Sequence, residues 1–295
     1  MKGVDKALVE TPIEPLDERD KRPAVNDLLE KHQKEIQKLR EEIQNDPLYD
    51  ANKHDDLWIL RFVLSHKRKH KEALKSMKHT LQYRKEHGLD EKDIRFSRPD
   101  AEVEDCPEMK AFLKYAESDT FIWCVPQEQG PVVTYIRYKG CDQHALVANL
   151  DESYWPPTFR YLAEWAFQWC DYTTRTTGLL TKNTRLIDFT GMKLTDVSRE
   201  MGRRDSKAMN MTEDCYPQLL QSIFLCHPPT WIQIIWRFFR PLLPKRMVEK
   251  VDFIQPKFND KERDRLLAHV PMHLLPERYG GKYEPWPIEY SFPGK

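Results

Sequence analysis

Residues 222–243 run Ser222-Ile-Phe-Leu-Cys226, then His227-Pro228-Pro229, then Thr230-Trp-Ile-Gln-Ile-Ile-Trp236-Arg-Phe-Phe-Arg240-Pro-Leu-Leu243. The opening residues are mostly apolar β-formers. The prolines end that strand, because neither has an amide hydrogen for a sheet ladder, and they suit the entry to a helix. In the helix beyond Thr230 only Gln233, Arg237 and Arg240 interrupt Trp231, Ile232, Ile234, Ile235, Trp236, Phe238 and Phe239. A helix with so little polar face is either core or the lid of an apolar cavity. Lys245, Arg246 and Lys250 follow it. Together with Arg237 and Arg240, and against Glu249, they leave a local excess of four positive charges. Aromatic and aliphatic side chains beside a basic cluster are what a peripheral membrane-docking surface requires.

Working outward, the strand-to-helix unit recurs. Upstream lie the strand Arg185-Leu-Ile-Asp-Phe189, closed by Gly191, a helical stretch over 194–211, and a short helix opening at Tyr216-Pro217. A long helix over 157–177 precedes them. Before that come two β-rich runs, 121–125 and 131–138, with Gly130 and Pro131 between them as a near-hairpin. Downstream, Val251-Asp-Phe-Ile254 reads as a last strand and 261–268 as a last helix. Strands alternating with helices of this length predict an α/β fold with a largely parallel sheet covered by helices. The N-terminal part differs, with helical spacing only. Val25, Leu28, Leu29, Ile36, Leu39 and Ile43 form one run ended by Pro47; a second helix is capped by Asp55 or Asp56; a third spans 69–87 and stops at Gly88. The expected organisation is a flexible leader over 1–22, an α-helical domain over 23–100, an α/β domain over 101–285 and a tail over 286–295.

Forty-seven basic residues balance 47 acidic ones, so steering toward nucleic acid or anionic lipid must come from local asymmetry and not from the whole chain. One such asymmetry is the run from His66 to Lys85, whose null expectation is a solvated helix face. No aromatic platform accompanies it, so nucleic acid is not an expected partner. Six cysteines without regular spacing read as reduced, buried thiols in a cytoplasmic protein. No stretch of signal-peptide or membrane-spanning character occurs, and the chain reads as soluble and monomeric. GxGxxG, GxxxxGK[ST] and GxSxG are all absent. The pairs His66/His70 and His269/His273 have zinc-ligand spacing, but the first lies in the basic run and Pro271 interrupts the second; both are expected to be structural or surface residues. Neither catalysis, nor a cofactor, nor a metal is expected.

Arg185, Ile187 and Phe189 share one face of their strand and Leu186 and Asp188 the other. In a covered strand Arg185 needs a partner. That partner is either a structural carboxylate or the phosphate or carboxylate of a ligand.

Four pieces in order resemble a known family. They are Leu60-Arg-Phe62 with Tyr83-Arg-Lys85 ahead of Gly88-Leu89; Ile187-Asp-Phe-Thr-Gly191; Tyr216-Pro217 with Ile223-Phe-Leu225, Pro228 and the run Trp236 to Leu243; and Val270-Pro271 with Leu275-Pro-Glu277 and Tyr279-Gly-Gly281. Over roughly residues 55–285 the chain is similar to the CRAL-TRIO lipid-transfer proteins. The resemblance implies a β-cradle floor under an apolar pocket, roofed by an aromatic gate helix that opens against anionic membrane. It further implies that a single lipid is moved or presented between membranes without a covalent step. An acyl chain of about sixteen carbons gains on the order of 13 kcal/mol from such shelter, so it does not exit into water. The resemblance places ligand and gate contacts at Trp236, Phe239, Leu242 and Leu243, floor residues at Ile187, Phe189 and Phe224, and headgroup contacts at Arg185, Gln218 and Lys250. Membrane docking falls to Arg237, Arg240, Lys245, Arg246 and Lys250. Where phosphatidylinositol-binding members carry an arginine-lysine pair, a glutamate and a threonine, this chain has His66-Lys67, Gln218 and Met247. The expected ligand is therefore a phospholipid or other amphiphile apart from phosphatidylinositol, presented to an anionic membrane, phosphoinositide-bearing membranes included, by a cytoplasmic, transiently membrane-associated protein. A neutral isoprenoid or sterol-like ligand, and a signalling or interaction adaptor that has kept the fold without transfer, are the alternatives.

Overall fold

The computed structural model describes residues 21–67, 69–92, 106–116, 121–124, 130–212, 214–243, 245–254 and 259–282. Nearly all of the expected leader, most of the acidic connector and the whole tail lie outside them.

Among the described residues four helices come first: α1 (Val25–Lys31), α2 (Gln33–Ile43), α3 (Asp56–Ser65) and α4 (His70–Glu86). The single run expected over 25–43 is two helices. His32 leaves helical geometry (φ −111°, ψ 12°), so α1 packs on α3 while α2 packs on both α3 and α4. Asp55 caps α3 by accepting from the Trp58 amide at 3.0 Å, one of the amides a helix start leaves unpaired. Gly88 follows α4 at φ +60°, a conformation that glycine adopts without strain. Leu39, Ile43, Leu57, Ile59, Leu60, Phe62, Val63, Ala73 and Met77 form the core of this part.

Next come α5 (Pro107–Leu113), β1 (Phe121–Cys124), β2 (Val132–Arg137), α6 (Gln143–Asn149), α7 (Trp155–Thr177), β3 (Asn183–Asp188), α8 (Arg199–Thr212), β4 (Leu220–Cys226), α9 (Thr230–Phe239), α10 (Lys245–Val248), β5 (Val251–Ile254) and α11 (Asp260–Leu267). The strands form one sheet in the order β1-β2-β3-β4-β5. β1 runs antiparallel to β2, as the near-hairpin requires, and every other neighbour is parallel. The architecture is the α/β class read from the pattern: a largely parallel sheet covered by helices, preceded by a helical region.

Register decides which side chains meet. Arg185 pairs with Thr134 and Ile223, and Leu186 with Tyr135 and Phe224. One sheet face carries Val133, Tyr135, Leu186, Phe224, Cys226 and Ile254 and is sealed by Leu266, Leu267, Val270, Leu274, Leu275 and Tyr279 from the C-terminal segment. The other carries Thr134, Ile136, Arg185, Ile187, Ile223 and Leu225 and turns toward α5, α7, α8 and α9.

The N-terminal helices are fastened to α7. Arg175 bonds Asp55 at 2.6 and 3.1 Å and Asp171 at 2.7 Å, and Asp171 also accepts from Arg61 at 3.1 Å. All four side chains are buried. A backbone bridge adds Val25 N–H to Gly178 C=O (2.8 Å) and Leu180 N–H to Pro23 C=O (2.9 Å). The basic run is only partly the expected solvated face. Lys71, Lys75, Lys78 and Lys85 are exposed, but Arg84 turns inward to Glu164 (3.0 Å) and Asp90 (2.6 Å), and His66 is buried. The helix expected at Tyr216-Pro217 is a turn, in which Gln218 takes φ +59°.

Candidate functional site: a cavity between the sheet and its helices

A cavity of about 300 Å³ opens on the Arg185 face. Most of its wall is apolar: Ile136 and Ile187 from the sheet, Phe159 and Leu162 from α7, Met201 and Met209 from α8. Its volume sits at the lower end of the range for a single small-molecule ligand.

Two sets of polar groups interrupt that wall. The first surrounds Arg185. Its Nε donates to Asn183 Oδ1 at 3.0 Å, and Asn183 in turn donates to Thr134 Oγ1 at 2.9 Å. Arg185 forms no ion pair among the described residues. Burial pulls its pKa down, and only the Cys170 thiol opposes this. Lys250 lines the cavity nearby and donates to the Leu220 carbonyl. The Gln218 amide and side chain both bond Ser65 Oγ at 3.1 Å, which ties the left-handed turn to the end of α3. Lys182, just before β3, has its pKa lowered by burial to about 8, with Lys250 and Arg61 adding to the effect.

The second set lies on α8 and just past β2. Asp205 accepts from Trp155 Nε1 at 2.9 Å, and burial raises its carboxyl to about 7. Tyr138, also in the wall, rests its ring on Phe189 with centroids 5.4 Å apart.

No described side chain of α9 lines the cavity; the helix packs beside it. Ile232 is buried against Phe189, Met192, Ile223 and Leu225, while Trp231 and Met247 pack around them. Trp236 is half-buried and meets Phe253 edge-on at 5.9 Å. Ile234 (59% exposed) and Phe238 (72%) point outward beside exposed Arg237 and Arg240, with Lys245 also exposed.

The structure thus gathers Arg185, Ile187, Gln218 and Lys250 at one cavity. Phe189 stands next to it, under α9. Phe224 is a correction: it pairs with Leu186 and faces the sealed side of the sheet, away from the cavity. Trp236 and half-buried Leu243 are on the α9 side and do not line the cavity. The side chains of Phe239, Leu242 and Arg246 lie outside the described residues. Sequence reasoning missed Ser65, Tyr138, Asp205 and the α8 wall. The available signal was Met201, Asp205 and Met209 at four-residue spacing, one stripe on an otherwise polar helix.

Among the described residues no cluster of three or more His, Cys, Asp or Glu side chains could hold a metal ion, and no helix is long and apolar enough to cross a membrane. Five buried thiols, Cys106, Cys141, Cys170, Cys215 and Cys226, are free.

The pattern of the CRAL/TRIO domain matches residues 116–281, more than half the chain. The chain is 27% identical over 71 residues to the CRAL-TRIO domain-containing protein C34C12.6 of Caenorhabditis elegans, a match that takes in 24% of this chain and 16% of that protein. The crystal structure of Sfh5 superposes over 96% of this chain and 94% of its own, with a TM-score of 0.57 at 12% identity, a likeness of fold. With the strand order, the cavity face and the helix beside it all in place, the chain belongs to the CRAL/TRIO domain family.

Proposed function

We propose that this protein holds one amphiphile with an anionic head in the cavity beside Arg185 and carries or presents it between membranes, with α9 moving when the protein meets an anionic bilayer. The observation that carries the reading is Arg185 itself: a cation in a mostly apolar cavity, bonded to a neutral amide and, among the described residues, to no carboxylate. Desolvating a guanidinium is costly unless a counter-charge and hydrogen bonds replace water. A phosphate or carboxylate of the ligand supplies both, and a planar guanidinium suits either.

The outer face of α9 supports the docking half of the reading. Ile234 and Phe238 are one turn apart on the helix and flanked by Arg237, with Arg240 and Lys245 close by in the chain. Apolar groups entering the acyl boundary and cations meeting anionic headgroups act together at a membrane surface. Membrane contact favours the open arrangement by differential binding, which is the only way a surface can shift such an equilibrium. An adaptor without a ligand has no use for an apolar void holding an unpaired arginine, so the carrier reading is preferred.

The test is transfer of a fluorescent acyl phosphatidic acid from neutral donor vesicles to acceptor vesicles. The protein is expected to accelerate transfer, and more so when the acceptors contain phosphatidylserine. Arg185→Ala is expected to change the class or amount of lipid extracted from the purified protein. No acceleration by the unaltered protein, with identical lipid content in the variant, contradicts the proposal.

A further inference from the structure

Asp205 is difficult to explain as packing. It lies in the cavity wall, and its only hydrogen bond among the described residues is the one from Trp155 Nε1. Among the described residues no cation pairs with it. Arg204, next in the chain, is committed elsewhere: its guanidinium stacks 4.6 Å from the Trp155 ring, Nε bonds Glu200 at 2.7 Å and Nη1 bonds the Leu150 carbonyl at 2.8 Å. The Tyr138 hydroxyl likewise makes no hydrogen bond among the described residues. Tyr138 and Asp205 line the same cavity, and burial raises the Tyr138 pKa, with the Asp205 carboxylate adding to the effect. A half-buried carboxyl and hydroxyl in the cavity wall, with a single donor between them, leave hydrogen-bonding capacity that a ligand group can satisfy.

Their position relative to Arg185 matters. Arg185 is level with Thr134, and Tyr138 lies four residues further along the same strand direction. At the rise of a parallel strand this sets the backbone of Tyr138 about 13 Å from that of Thr134. Arg185 and Asp205 form no ion pair with each other, and the wall between them includes Ile136 and Ile187. The cavity is therefore polar at two ends and apolar between them.

We infer that Asp205 and Tyr138 form a second binding pole, which receives a hydroxyl or amino group on the ligand at the end remote from its anionic head. The cavity then selects amphiphiles with a polar group at each end over those that end in a methyl. The inference rests on the carrier reading, with Arg185 holding the anionic head.

The experiment is calorimetric titration of the full chain, stripped of co-purified lipid, with dodecanoic acid and with its ω-hydroxy and ω-amino counterparts. The unaltered protein is expected to bind the ω-substituted acids about tenfold more tightly than the plain acid. Asp205→Leu is expected to bring that ratio to about one, and Tyr138→Phe to lower it by about threefold. Asp205→Asn keeps an acceptor for Trp155, so it guards against a variant that fails to fold; it is expected to cut the preference for the ω-amino acid by more than that for the ω-hydroxy acid. Equal binding of all three acids by the unaltered protein, or a full preference kept by a folded Asp205 variant, overturns the second pole alone. Failure of all three acids to bind overturns the carrier reading and this inference with it.

Discussion

Arg175 is buried and Arg185 half-buried in a cavity wall, and the protein treats them in opposite ways. Arg175, at the end of α7, sits between two carboxylates, Asp55 and Asp171, and Asp171 is shared with Arg61. Burial works against its charge, but Asp171 and Asp55 outweigh that and raise its pKa. Arg185, in the following strand, has an asparagine for a neighbour, and burial lowers its pKa. A buried charge whose partners are all in the fold fastens elements together. A half-buried charge with a neutral partner and a cavity in front of it is available to something that is not protein. The first set joins the N-terminal helices to α7, and the second defines the end of a binding site.

The largest effect that could break this contrast is on stability. Arg175→Met removes the cation from Asp55 and one of the cations from Asp171. It is expected to lower unfolding free energy by about 3–5 kcal/mol, read from urea denaturation of the full chain. A loss below about 1 kcal/mol would place the pair among ion pairs that contribute little. Arg185→Met sharpens the contrast from the other side. It removes an unpaired desolvated cation, so the lipid-free protein is expected to keep or slightly raise its unfolding midpoint. Affinity for dodecanoic acid is expected to fall roughly 10- to 100-fold, the worth of a charge-assisted hydrogen bond. Loss of stability without loss of binding would make Arg185 the structural residue of the two.

The acid end offers a test with a definite sign. Asp205 holds its proton in the folded state until about pH 7, whereas an unfolded aspartate releases it near the ordinary carboxylate value. The folded state therefore binds more protons between those limits, and stability contributed by this group falls as pH rises from about 4 to about 7. Asp205→Asn removes that slope, so the variant is expected to gain stability over the unaltered protein at pH 8 relative to pH 5, by about 1–2 kcal/mol once partial access to water is allowed for. A constant difference across that range would mean that the carboxyl titrates normally. The smallest effect concerns the outer face of α9. Phe238→Asp is expected to reduce partitioning onto phosphatidylserine vesicles by about fivefold to tenfold. Because Phe238 is 72% exposed, the unfolding midpoint should be unchanged.

Much of this was legible in the sequence. Strand-helix alternation, Asp55 as a cap and Gly88 as a stop gave the class and most of the boundaries, because propensity and capping are local. The face shared by Arg185 and Ile187 was legible for the same reason, since alternation along one strand is local too. Phe224 was not, because its strand is apolar on both faces, and the pairing of Leu186 with Phe224 depends on register between strands far apart in sequence. Asp205 was hidden by the polarity of α8, where three residues in a stripe are easily taken for surface. The break at His32 is likewise tertiary: it lets two short helices meet different neighbours.

The central claim is that the Arg185 cavity shelters a lipid, and native mass spectrometry of the protein as purified, followed by solvent extraction, tests it most directly. The expected result is one lipid-sized adduct per chain, carrying an anionic group, that is missing from Ala163→Trp, whose added ring fills the cavity from α7. An unaltered protein that carries no adduct and takes none up from vesicles, or a filled variant that still holds one, would contradict it.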